Sequence, residues 1–77
     1  MPSQSFSLAN LTDVGLALYG LGWQRHMARA LNMPLISVTQ WCHGGPLPDI
    51  RKPLANLCRL HDMGDLARKL EKLGPPE

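Results

Sequence analysis

Helix breakers interrupt this chain at short intervals, and that punctuation limits it to short elements. Gly20 and Gly22 form one break, Asn32 with Pro34 the next, and Gly44-Gly45-Pro46 a third. Asp62-Met63-Gly64-Asp65 and Gly74-Pro75-Pro76 follow. Between the breaks, apolar residues recur at helical spacing. Leu and Ala dominate, β-branched residues are few, and there is one Phe and one Tyr. The pieces therefore read as helices rather than strands. Asn10, with Asp13 as a capping-box partner, opens a first helix through Leu11, Val14, Leu18 and Tyr19. A second, over 23–31, buries Trp23, Met27, Ala30 and Leu31 and keeps Arg25 and Arg29 wet. Asn32 is suited to a left-handed C-cap. Pro34 then begins a third helix that ends at His43.

A fourth helix starts between Asp49 and Lys52, which keeps Pro53 inside its first turn, and continues through Leu54, Leu57, Cys58 and His61. Leu66, Leu70 and Leu73 mark a last short helix over 65–73. The sequence thus predicts one all-α domain of four or five helices over 10–73. A Ser-rich flexible arm (1–9) precedes it and a short tail (74–77) follows. No internal repeat is visible. Seventy-seven residues leave room for a single core. A chain this short buries only about 60% of the surface its unfolded form exposes, so pairing with a second copy would help it.

Charge is unevenly placed. Between Gly22 and Leu60, Arg25, Arg29, Arg51, Lys52 and Arg59 face Asp49 alone. From His61 onward, Arg68, Lys69 and Lys72 meet Asp62, Asp65, Glu71 and Glu77. A basic middle suits a polyanionic partner. Two cysteines make no disulfide framework, no leader is visible at the start, and no apolar run approaches membrane-spanning length. The reducing cytoplasm is the expected location, with no membrane partner.

The stretch from Trp23 to Gly44 is the most informative. Two short helices flank a turn at Asn32, and Ala28, four positions earlier, is small enough for helices to cross closely there. Met27, Leu31, Met33, Val38 and Trp41 supply the apolar pegs that fix the angle. This is the sequence pattern of a helix-turn-helix, whose second helix is free to enter the major groove. The chain resembles the Cro/repressor-type helix-turn-helix family, especially its small bacterial and phage members. The resemblance covers 11–60 and rests on Ala17-Leu18-Tyr19-Gly20, Trp23-Gln24, Ala28-Arg29-Ala30-Leu31, Val38, Trp41 and Gly44. Asn32 stands where such proteins usually carry Gly, Pro34 where Ser caps, and Leu35-Ile36 where a polar pair is common.

The resemblance implies a Cro/repressor-like bundle and a sequence-specific regulator of transcription. It would bind double-stranded DNA as a homodimer on an inverted repeat, and, with no effector domain visible in so short a chain, regulation would act by occupying a promoter. It implies no cofactor and no small-molecule ligand. Gln24 and Arg25 would reach phosphates, as would His43, Arg51 and Lys52 further along. Leu35 and Ile36 would pack on thymine methyls, and Ser37, Thr39 and Gln40 would meet base edges, Gln40 best matching adenine. Trp23 and Trp41, in register with Met27 and Val38, read as core rather than as stacking platforms.

Three rival readings remain. Cys42-His43 with Cys58 and His61 form a chemically sufficient zinc set. Their spacing fits no ligand pattern, however, and Cys42 and His43 point about 100° apart on a helix. An enzyme lacks support, because there is no carboxylate pair on one element, no glycine-rich phosphate cradle and no exposed nucleophile beside a base. His26, between Arg25 and Arg29, reads as surface. The third reading is an antitoxin or adaptor that docks another protein. Leu66, Leu70 and Leu73 would then either complete the core or form a dimer seam.

Overall fold

Ser7, rather than Asn10, starts the first helix. In the computed structural model, which describes residues 4–76, the Ser7 N–H and Oγ both donate to Asn10 Oδ1, at 2.9 and 2.8 Å. Asn10 is therefore the third helical residue of a capping box, and not the cap itself. Phe6 and Leu11 occupy the two positions of a hydrophobic staple, and both are buried in the core. The Phe6 N–H donates to the Gly74 carbonyl (2.9 Å) and the Gly74 N–H to the Gln4 carbonyl (2.8 Å). Residues 4–9 are thus ordered against the chain's other end, which revises the flexible arm expected over 1–9. Residues 1–3 of that arm, and Glu77 of the tail, lie outside the described residues.

Five helices follow: α1 (Leu8–Tyr19), α2 (Trp23–Ala30), α3 (Leu35–Cys42), α4 (Arg51–Leu60) and α5 (Gly64–Lys72). Among the described residues there is no strand, only the bridge between Ser5 and Gly74. Three helices stop on the same turn. At the end of α2, Asn32 takes φ +56° and donates to Arg29, while the Met33 N–H donates back to Ala28. At the end of α3, Gly44 (φ +91°) and Gly45 donate to the Trp41 and Gln40 carbonyls. At the end of α4, Asp62 (φ +62°) and Met63 do the same to Arg59 and Cys58. Each is a Schellman closure, which satisfies carbonyls that a helix end leaves without partners. Pro34 lies just before α3 as its N-cap, and Pro53 occupies the first turn of α4.

The core gathers Phe6, Leu11, Val14, Met27, Val38, Leu54, Cys58, Ala67 and Leu70, with both tryptophans at its edge. Trp23 seats directly on α1 at Gly15, where an added Cβ would fall 2.2 Å from the indole ring. On α2 the buried arc runs through Trp23, Met27 and Ala28, so Ala30, expected inside, is exposed. Leu31 and Met33 are half-buried against the core. In α5, Leu70 is 2% exposed, and Leu66 and Leu73 pack partly buried on the same core. The leucine stripe thus packs on the monomer core through Leu70, while Leu66 and Leu73 keep part of their surface open. Its ridge faces α4 and α1, where burying each large aliphatic side chain contributes about 2 kcal/mol.

Candidate nucleic-acid interface

α3 has a buried side and an open side. Val38 and Trp41 point into the core, whereas Ile36, Gln40 and His43 recur at helical spacing on the outside and are exposed. Leu35 is 41% and Ile36 64% exposed, although both are large aliphatic residues. Ser37 and Thr39 are half-buried. The Thr39 hydroxyl donates to the Leu35 carbonyl at 3.0 Å. Its one proton is spent, so Thr39 can only accept a further hydrogen bond.

The start of α2 lies beside this face. A shallow groove of about 360 Å³ is lined by Leu21, Gly22, Gln24, Arg25, His26, Leu35 and Thr39. Of the sequence-predicted residues, Gln24, Arg25, Leu35 and Thr39 therefore meet in one place. Gln24 also reaches across to the end of α3, its Nε2 lying 3.9 Å from Cys42 Sγ. Leu21 was not anticipated in this groove, and it is 93% exposed. Its sequence signal was the pair of glycines on either side, Gly20 and Gly22, which both take positive φ in the structure. His26 stacks on Tyr19 with ring centroids 5.4 Å apart, and His61 meets the same ring edge-on at 5.3 Å. Burial, with a smaller contribution from Cys58, raises the Tyr19 phenol above its ordinary value.

Arg51 and Lys52 are placed differently from the expected phosphate contacts. Arg51 grips Asp49 with two prongs, Nε to Oδ1 and Nη2 to Oδ2, both at 2.8 Å. Its remaining Nη1 donates to the Leu73 carbonyl. All three guanidinium nitrogens are engaged, so Arg51 ties the start of α4 to the end of α5. Hydrogen bonding to that guanidinium holds the Asp49 carboxyl below the usual carboxylate range. Lys52 is exposed, but it shares a crevice with Asp49, Arg51 and Glu71.

The other ion pairs sharpen this division. Arg59 pairs with Glu71 and Arg68 with Asp65, so the arginines of α4 and α5 are matched by local acids. Neither α2 nor α3 contains a carboxylate, and Arg25 and Arg29 are exposed on α2. The four residues weighed as a zinc set do not converge. Cys58 is fully buried and Cys42 half-buried, while His43 and His61 are exposed. No group of three or more His, Cys, Asp or Glu that could hold a metal ion occurs among the described residues. Burial pushes the Cys58 thiol up. No helix among the described residues is long and apolar enough to cross a membrane.

No protein-family model, curated protein or solved structure matches the chain. What the α2–α3 face can do follows from its own chemistry.

Proposed function

We propose that this protein is a sequence-specific regulator that binds duplex DNA with α2, the Asn32 turn and α3 as a Cro/repressor-type helix-turn-helix. The observation that carries this reading is the open face of α3, set beside a carboxylate-free α2 that presents Arg25 and Arg29. A helix such as α3 is about 10–12 Å across with its side chains, comparable to the width of the major groove. With α3 in the groove, Ile36, Thr39 and Gln40 meet base edges, and Arg25 and Gln24 approach the flanking phosphates. Ser37 and His43 border that contact. Repression acts by occupying a promoter in the cytoplasm.

The protein acts as a homodimer on half-sites about one helical turn apart, roughly 34 Å. Leu70 is buried in the core and Leu66 and Leu73 are half-buried, so the stripe offers a dimer seam less open surface than Leu60 does. Leu60, 81% exposed at the end of α4, is the place to look for it.

Selection from random duplex DNA, followed by titration of the winner at two salt concentrations, tests the reading. An inverted repeat should be enriched. Arg25→Ala should weaken binding to all duplexes and reduce the log–log salt slope by about 1. A featureless pool, with a salt slope indifferent to Arg25, would contradict it. A second reading, an adaptor that docks a protein, is favoured by a groove of about 410 Å³ between α1 and α5. Val14, Leu66, Leu70 and Leu73 line it, with Lys69 and Lys72 also contributing. The featureless pool is the outcome that favours this alternative.

A further inference from the structure

We infer that the α3 face reads the 5-methyl group of pyrimidines, so that thymine is its main determinant and uracil is discriminated against. This rests on the DNA-binding reading above.

Leu35 and Ile36 are the first two residues of α3 and stay exposed, while Val38 and Trp41 of the same helix are buried. Packing within the chain leaves much of the surface of Leu35 and Ile36 in contact with water. In the major groove the one apolar feature of the four standard bases is the thymine C5-methyl group. Thr39, one helical turn beyond Leu35, restricts the match further. Its proton goes to the Leu35 carbonyl, so it requires a donor from the base, namely the exocyclic amino group of adenine or cytosine. An A·T pair offers both features on one groove edge, the adenine amino group and the thymine methyl. An unmodified G·C pair offers an amino group without a methyl. A 5-methylcytosine offers both again.

Charge argues for a nucleic acid rather than a protein as the occupant. Leu35 borders a groove that also contains Arg25, and both helices of this face carry no acid. Phosphate contacts position such a face and carry no sequence information, so discrimination falls to the aliphatic residues and to Thr39 and Gln40.

The test begins with the preferred duplex obtained by selection. Each dT of a half-site is replaced in turn by dU, which removes only the methyl, and dissociation constants are measured at one salt concentration. Each contacted methyl should be worth about fourfold in affinity. Replacing a contacted dT·dA pair by dC·dG should weaken binding more, and methylating that cytosine at C5 should recover about fourfold of the loss. Ile36→Ser, whose thermal melt checks that it folds, should lose the dT over dU preference at the position Ile36 contacts, and the Leu35→Ser, Ile36→Ser double variant at every position. Arg25→Ala should weaken both while keeping their ratio.

A preferred duplex on which dU is equivalent to dT at every position would overturn this inference and leave the DNA-binding reading intact. Absence of any preferred duplex would overturn both. If Ile36→Ser then abolished self-association, the face would be a contact between copies of this chain.

Discussion

The turn between α2 and α3 and the turn between α4 and α5 share one construction. Asn32 and Asp62 sit at φ +56° and +62°, and Met33 and Met63 each donate to a carbonyl five residues back. What flanks them differs. After the first turn come Leu35 and Ile36, both exposed, with Arg25 and Arg29 on the preceding helix. After the second come Leu66, Ala67 and Leu70, which are packed on the core, with Arg59 and Arg68 matched by Glu71 and Asp65. The same local frame therefore serves two purposes. In α4–α5 the leucine stripe and the arginines are engaged within the chain, with Leu60 left exposed, whereas in α2–α3 Leu35, Ile36, Arg25 and Arg29 all stay exposed.

Substitutions that exchange these roles break the comparison most sharply. Leu70→Ala should lower stability by about 2–5 kcal/mol, because it opens a cavity in the core. Denaturant melts at several protein concentrations check this, and a concentration-dependent loss would return the stripe to a dimer seam. Ile36→Ser should change stability by no more than about 0.5 kcal/mol. A loss as large as that of Leu70→Ala would mean that Ile36 is covered in solution.

The shared turns give a smaller, matched effect. Asn32→Ala and Asp62→Ala each place a less suited side chain at a left-handed position, and each should cost about 1 kcal/mol. Only Asn32→Ala should also weaken DNA binding, because only that turn sets the angle of α3. Equal loss of binding in both variants would break the division between the pairs.

The smallest effect concerns pH. Because its partner Arg51 holds the folded-state pKa of Asp49 below the unfolded value, the contribution is present above the ordinary aspartate pKa of about 3.9. It is lost as the pH falls through the lowered folded value. Thermal melts across the acid range should show Asp49→Asn less stable than wild type near neutrality and the difference shrinking toward low pH. A difference that persisted unchanged in acid would detach the Arg51 clamp from Asp49.

Features set by neighbouring residues were legible in the sequence. Asn32 between an apolar stripe and Pro34 announces a left-handed turn, and the aliphatic pair at the head of α3 is plainly too large to be buried whole. Features set by distant contacts were not. Nothing near Phe6 shows that Gly74 will hold its strand-like segment in place. Gly15 carries no local mark of the Trp23 ring that needs its missing side chain. The clamp made by Arg51 was hidden for the same reason, since Asp49 is visible two residues away but the Leu73 carbonyl is brought up only by α5.

The most direct measurement is an amide-shift titration of isotope-labelled protein with a short duplex at low salt. The backbone signals of Arg25, Arg29, Ile36, Thr39 and Gln40 should move, while those of Arg59, Leu66, Arg68 and Leu70 stay in place. Shifts confined to α5 and the α1–α5 groove, or no shifts at any DNA concentration, would contradict the assignment of α2–α3 as the interface.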